Sequence, residues 1–101
     1  MTTISTHVLD TATGRPGPGV GVTITDDTHT VVGRGTTDDD GRVAHLADVG
    51  DGVHHLHFAT GDYGNPFYPE VVVTVQIDGS VDHYHIPLLL STFGYTTYRG
   101  S

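Results

Sequence analysis

The chain has 101 residues, a formal net charge of −8, eight His, and neither Cys nor Lys. Its acidity makes nucleic acid and membranes poor partners, since nucleic acid and anionic lipid both attract positive charge. The absence of Cys excludes disulfides and thiolate metal sites. No stretch has the roughly 20 apolar residues of a membrane-spanning helix, and no signal-peptide pattern opens the chain, so we expect a cytoplasmic protein.

Short β-branched segments, separated by turns rich in Gly, Pro and Asp, predict an all-β chain. In chain order, the predicted strands cover residues 4–9, 20–25, 29–35, 43–46, 53–59, 70–77, 81–90 and 92–98. Eight short strands with regular turns are typical of a β-sandwich. The length predicts a single domain over residues 1–101.

Alternation along the strands predicts which side chains are buried. Val20, Val22 and Ile24 share one face of their strand and are core candidates. Residues 86–90 are instead apolar on both faces, and such a strand requires cover on both faces. In so short a chain, we expect the second cover to come from another subunit.

Several histidines stand out along the predicted strands. His83 and His85 are two residues apart and share a face, and His7 is a polar residue within the apolar first strand. Each of them, taken alone, is more often a hydrogen-bonded structural residue. His55 and His57 also share a face, which we expect to be solvated.

Two arginines also bear on function. Arg42 follows three aspartates and a glycine at the mouth of a strand, where an ion pair with a neighbouring aspartate is the ordinary expectation. Arg99 stands in the last four residues, a position typical of a frayed tail. Directly after an apolar strand, this polar segment is equally consistent with a docked lid.

Several motifs together resemble the hydrolase branch of the transthyretin-like family. They lie at residues 5–10 (Ser-Thr-His-Val-Leu-Asp), 14–17 (Gly-Arg-Pro-Gly), 37–42 (Thr-Asp-Asp-Asp-Gly-Arg), 60–63 (Thr-Gly-Asp-Tyr) and 83–101, which begins His-Tyr-His-Ile-Pro and ends Tyr-Arg-Gly-Ser. The resemblance covers nearly the whole chain. The last motif is similar to the hydrolase branch specifically, because the hormone carrier lacks it.

The departures from the family pattern are small. Thr92 stands where Pro or Gln is usual, and Thr96 where Ser is usual. The segment of residues 61–69 is shorter than the corresponding segment of the family. The resemblance therefore implies an all-β, transthyretin-like eight-stranded sandwich whose short helix is reduced or absent.

The resemblance also implies an assembly and an activity. The assembly is a homotetramer, a dimer of dimers with active sites in a channel at the dimer–dimer interface. The activity is cofactor-free and metal-free hydrolysis of 5-hydroxyisourate to 2-oxo-4-hydroxy-4-carboxy-5-ureidoimidazoline in urate breakdown. The implied catalytic residues are His7, Arg42, His85 and Ser101, and the substrate-binding residues are these four together with Tyr98, Arg99 and Gly100.

A mechanism for these residues follows from their chemistry. We hypothesise that His7 and His85 hold and deprotonate the attacking water, since a neutral imidazole is a base at physiological pH. Arg42 would donate paired hydrogen bonds to a substrate carbonyl. Ser101, with its hydroxyl and α-carboxylate, would shape or close the pocket, and Arg99 would anchor the tail.

Two other functions remain open on sequence grounds. His7, His83 and His85 could form a three-histidine zinc site of a metal-dependent hydrolase. The same sandwich could also carry small apolar ligands, because a fold alone does not separate a carrier from an enzyme. The polar set of His7, Arg42 and His85 suits a small oxygen-rich substrate better than an apolar ligand.

Overall fold

β-Branched residues alternate with polar ones along most of the chain, which favours extended backbone. The computed structural model describes residues 1–100, and these form ten strands and one helical turn. Their bounds are Thr2–Asp10 (β1), Arg15–Pro16 (β2), Gly21–Thr25 (β3), Val31–Thr36 (β4), Arg42–Val49 (β5), Gly52–Phe58 (β6), Thr60–Tyr63 (α1), Val71–Ile77 (β7), His83–His85 (β8), Leu88–Leu90 (β9) and Tyr95–Thr97 (β10).

The strands form two sheets. In the six-stranded sheet, β1 is central: it pairs antiparallel with β5 and β2 along one edge and parallel with β8 and β9 along the other. β10 then pairs with β9. The second sheet has the order β4-β3-β6-β7. The all-β sandwich expected from the sequence is confirmed.

The inner faces of the two sheets enclose one apolar core. Val20, Val22 and Ile24 are at most 1% exposed, which confirms their predicted burial. Ile4 and Val8 of β1 are fully buried opposite them. Burying such side chains contributes roughly 1.5–3 kcal/mol each before the loss of conformational entropy is counted.

Proline divides one predicted strand. Residues 81–90 were expected to form one strand, which is wrong: β8 and β9 are separated by Ile86 and Pro87. Pro87 has no N–H to donate to a neighbouring strand. Both segments still pair with β1, so the break leaves the sheet continuous. Together with the unpredicted two-residue β2, this division accounts for ten strands instead of eight.

Residues 86–90, which are apolar on both faces of their strand, are largely buried by other residues of the same chain. Ile86, Pro87 and Leu88 are buried, and Leu89 is half-buried. The expected helix is reduced to the single turn of α1, which ends at Gly64 in the left-handed conformation (φ 116°). With four residues, this one helix of the described part of the chain is far too short to cross a membrane.

Candidate functional site

A row of polar side chains lies on the outer face of β1. Because Ile4, Thr6 and Val8 point into the core, strand alternation turns the residues between them outward. The outward row therefore contains Ser5 and His7. It faces away from the four-stranded sheet and forms the floor of the candidate site.

β5 places Arg42 beside His7. The two residues are register partners in the antiparallel β1–β5 pair. The turn before β5 is fixed by Asp38, whose Oδ1 accepts the N–H groups of Asp40 and Arg42, both at 2.9 Å. The carbonyl of Asp40 in turn accepts a hydrogen bond from His7 Nε2 at 2.8 Å. One turn thus positions the side chains of both His7 and Arg42.

The Arg42 guanidinium remains available to a ligand. Arg42 is exposed, and within residues 1–100 the only ion pair joins His45 to Asp48. The neighbouring aspartates of the turn therefore do not neutralise Arg42, although an ion pair there was the ordinary expectation.

β8 brings the remaining histidines to the other side of β1. Its parallel register places His83 beside Thr3 and His85 beside Ser5. Ser5 Oγ lies 2.9 Å from His83 Nε2 and 2.7 Å from His85 Nδ1. Ser5 is buried, His85 half-buried and His83 exposed.

Burial and neighbouring charge both lower the pKa of His85 below its usual 6.5. Burial is the larger cause, and the electrostatic effects of Arg42, His7 and His83 follow. Each of these effects disfavours an imidazolium ion. A lowered pKa favours the neutral form of His85 at physiological pH.

The chain's last described residues dock against β8. Gly100 N–H donates to the His85 carbonyl at 2.7 Å, and the His85 ring lies so close that a Cβ at position 100 would be 2.7 Å from its Cδ2. The Arg99 guanidinium stacks on the Tyr84 ring, 4.6 Å from its centroid. Up to Gly100, the segment is thus a docked one. Ser101 lies outside the described residues.

Three of the expected site residues come together, and two lie apart from them. His7, Arg42 and His85 share the outer face of the six-stranded sheet, with Gly100 beside His85. Tyr98 and Arg99 instead line an apolar cleft of about 320 Å³ between β7 and β10. Tyr84, on which Arg99 stacks, points to the core side of β8, opposite to His85.

The structure adds Ser5 and Thr3 to the surroundings of His85, beside His83, which the sequence already placed on the same strand face. The sequence contained a signal for Ser5 and Thr3 as well, because Thr3, Ser5 and His7 alternate with core residues. Their contact with His83 and His85 depends on the parallel β1–β8 pairing, which joins strands some 80 positions apart in the chain. No local pattern predicts such a pairing.

Nε2 of His83 and Nδ1 of His85 are both aimed at the Ser5 hydroxyl. Among residues 1–100, no three His, Asp or Glu side chains converge in a way that could hold a metal ion. His55 stacks on His29, with ring centroids 5.2 Å apart, on the four-stranded sheet.

Comparison with known proteins gives consistent results. A model of the HIUase/Transthyretin family matches residues 4–100. The chain is 41% identical over 109 aligned residues to a 5-hydroxyisourate hydrolase of Salmonella typhimurium, covering 97% of this chain and 80% of that protein. It is 38% identical to the 5-hydroxyisourate hydrolase of Caulobacter vibrioides, over the full length of both.

Solved structures agree with this result. The 5-hydroxyisourate hydrolase of Klebsiella pneumoniae superposes with a TM-score of 0.89 at 32% identity, covering 99% of this chain and all of that one. Transthyretin from Sparus aurata superposes with a TM-score of 0.88 at 27% identity, covering 96% and 95%. Both share the two-sheet architecture, which confirms the fold expected from the motifs.

Proposed function

The chain belongs to the HIUase/Transthyretin family, and from this membership we propose that it hydrolyses 5-hydroxyisourate in purine catabolism. Relatives with this name are 36–41% identical to the chain over nearly its full length. The observation that carries the proposal is the shared face of His7, Arg42 and His85. A neutral imidazole beside a guanidinium that forms no ion pair with a carboxylate of residues 1–100 suits hydrolysis of a small, oxygen-rich ring.

The reaction is attack of water on a cyclic amide carbonyl, and it gives 2-oxo-4-hydroxy-4-carboxy-5-ureidoimidazoline. It requires a base for the water, a positive group for the carbonyl oxygen and a proton for the departing nitrogen. His7 and His85 hold and deprotonate the water, a contribution of roughly 10²–10⁴-fold. The lowered pKa of His85 supports this role, because it keeps the imidazole in its basic form.

Arg42 orients the substrate and counters the negative charge that develops on its carbonyl oxygen. Two parallel N–H groups of a guanidinium can bind one planar acceptor pair, which a single ammonium cannot do. The exposed position of Arg42, with no ion pair to a carboxylate of residues 1–100, supports this role.

The C-terminal segment closes the pocket. The backbone of Gly100 lies against His85, beside the proposed base. The roles given to the Ser101 hydroxyl and α-carboxylate, and to Tyr98 as a substrate contact, rest on the family resemblance. The stacking of Arg99 on Tyr84 supports its role as an anchor of this segment.

The active assembly is a homotetramer, and the location is cytoplasmic. β7 and β10 pair with a neighbour on one side only, and both border the same cleft. Phe93, Tyr95 and Tyr98 are large and exposed at this end of the molecule. Open strand edges beside exposed aromatics favour association with another copy.

The test is stopped-flow absorbance of freshly generated 5-hydroxyisourate with and without the protein. We expect strong acceleration by the wild type and a large loss of turnover in His85→Asn. His29→Asn is the matched control, because His29 lies on the other sheet's hairpin at φ 64°, a conformation that Asn tolerates well. No acceleration by the wild type overturns the proposed activity, and full turnover in His85→Asn overturns the assignment of His85.

A further inference from the structure

A chain of hydrogen bonds lies behind His85, on the side away from its Nε2. Its Nδ1 is 2.7 Å from Ser5 Oγ, which is 2.9 Å from His83 Nε2. His83 Nδ1 is 2.5 Å from Thr3 Oγ1, and that hydroxyl is 3.3 Å from the carbonyl of Asp82. Four hydrogen bonds thus connect His85 to a backbone carbonyl.

The Asp82 carbonyl at the end of this series determines which atom donates in each of its hydrogen bonds. A carbonyl only accepts, so the Thr3 hydroxyl donates to Asp82 and accepts from His83 Nδ1–H. A neutral His83 then has its lone pair on Nε2, which accepts from the Ser5 hydroxyl. Ser5 Oγ, having donated its one proton, accepts from His85 Nδ1–H.

The opposite direction loses a bond. If Ser5 donated to His85 Nδ1, His83 would have to donate from Nε2 and accept at Nδ1. The Thr3 hydroxyl would then donate to His83, and the Asp82 carbonyl would lose this hydroxyl donor and keep only the Thr3 N–H at 3.0 Å. A carbonyl and a hydroxyl oxygen, both acceptors, would face each other without a hydrogen.

We propose that Ser5 and His83 are positioning residues that hold His85 in the tautomer protonated on Nδ1, so that its Nε2 lone pair is the base for the attacking water. This inference rests on the proposed function and deepens it. His7 differs, because its Nε2 donates to the Asp40 carbonyl, which leaves the lone pair of a neutral ring on Nδ1. In this proposal the first proton transfer is to Nε2 of His85.

The step balances without any further reactant. The water's O–H bond breaks as its proton moves to His85 Nε2, and its oxygen bonds to the amide carbon while the carbonyl π electrons move onto the carbonyl oxygen. The resulting imidazolium keeps its Nδ1–H on Ser5. The C=O bond then re-forms as the C–N bond breaks, and the proton on Nε2 passes to the departing ring nitrogen.

The direct test is to read the tautomer of His85 by long-range ¹⁵N–¹H NMR of the full-length chain, above the 6.5 reference pKa and without substrate. We expect Nδ1–H in the wild type and an increased share of Nε2–H in Ser5→Ala. In the activity assay, Ser5→Ala should lower kcat roughly 10- to 100-fold, the usual effect of removing the partner that orients a functional histidine. KM should change little.

His83 supplies a matched pair of variants, because it is exposed and its replacement leaves the core intact. His83→Phe removes the acceptor for Ser5 and should behave as Ser5→Ala does. His83→Gln offers a carbonyl oxygen near the place of Nε2 and should retain most of kcat. Thr25→Ala, which deletes a hydroxyl beside His57 on the other sheet, should leave kcat and the His85 tautomer unchanged.

The possible failures are distinguishable. An Nε2–H tautomer in the wild type overturns the positioning proposal whatever the activity. So does unchanged kcat in folded His83→Phe, and this variant decides the matter if Ser5→Ala does not fold. If the wild type does not accelerate the hydrolysis of 5-hydroxyisourate, the proposed function is overturned instead. The tautomer measured by NMR does not depend on that outcome.

Discussion

At the scale of single residues, the site combines groups that would be unremarkable alone. His85 is one of eight histidines, but burial and the electrostatic effects of Arg42, His7 and His83 lower its pKa. Arg42 acts on His85 through its charge. In the proposed mechanism it also binds the substrate through two parallel N–H groups of its guanidinium. These two roles of Arg42 can be separated by substitution.

Arg42→Lys and Arg42→Gln should both lower activity and should give different pKa values for His85. Both lack the paired N–H groups of a guanidinium, so we expect kcat to fall by about 10²–10³-fold, with the larger loss in Arg42→Gln, which also loses the positive charge. Lysine keeps a positive charge and should keep the His85 pKa low. Glutamine removes the charge and should raise the pKa towards 6.5, although burial still holds it below that value.

Stopped-flow rates and NMR titration of the His85 ring measure the two effects of these substitutions. Wild-type turnover in Arg42→Lys would contradict the bidentate role. An unchanged His85 pKa in Arg42→Gln would contradict the electrostatic coupling between the two residues.

The lowered pKa of His85 also predicts how kcat/KM depends on pH. Because the base form persists to lower pH than in a free imidazole, the acid limb of the profile should lie below pH 6.5. A pH–rate profile of the wild type measures it. An acid limb centred above 6.5 would show that another group controls the reaction.

Stability should depend on pH over the same range. As the pH falls below 6.5, the unfolded chain binds a proton at His85 before the folded chain does. The free energy of unfolding therefore declines until the lowered pKa of the folded state is reached. Urea unfolding of the wild type and His85→Asn measures this, and the decline should be shallower in the variant. Parallel curves would contradict the assignment.

At the scale of elements, the turn before β5 determines where two functional residues lie. It carries Arg42, binds His7 through the Asp40 carbonyl, and contains Gly41 at φ 78°. A Cβ on Gly41 would overlap the carbonyl oxygen of Val8. A residue other than glycine would thus push this turn away from β1.

Gly41→Ala should lower both stability and activity, whereas Gly14→Ala should lower stability only. Gly14 has nearly the same φ, 73°, but open space around its Cβ position. In Gly14→Ala, we expect the left-handed backbone to lower the free energy of unfolding by about 1–2 kcal/mol. In Gly41→Ala, we expect a larger decrease. Chemical unfolding and kcat measure the two effects, and equal losses in both variants would mean that the Val8 overlap relaxes freely.

The elements also show what the sequence could and could not predict. Alternation predicted the buried face of β3, because burial of every second residue is a local property of one strand. The motifs predicted His7, Arg42 and His85, but not that His83 and Ser5 lie behind His85. That relation depends on a parallel pairing between the chain's two ends, and it has no local signature. The break at Pro87 followed from a missing N–H and could have been foreseen.

At the scale of the whole molecule, the edge strands of the two sheets are arranged differently on the two sides of the sandwich. On one side, β4 lies against β5 of the other sheet. On the other side, β7 and β10 are both open, and the cleft between them is lined mainly by apolar atoms. Phe93, 74% exposed, adds an uncovered aromatic ring. The proposed assembly would cover these edges despite the net charge of −8 on each chain.

A lysine on the open edge should therefore separate the subunits, since a charged side chain there opposes pairing with another strand. We expect light scattering to give the wild type a mass of four times the 10.7 kDa chain, and Thr96→Lys on β10 a smaller mass with reduced turnover. Val32→Lys adds the same charge to an exposed position of β4 and should remain a tetramer. Since the substitution on β10 lies outside the His7–His85 face, lost turnover there would mean that the site is complete only in the assembly. A wild type that is monomeric and fully active would contradict the proposed tetramer. The catalytic site would then be complete in a single chain.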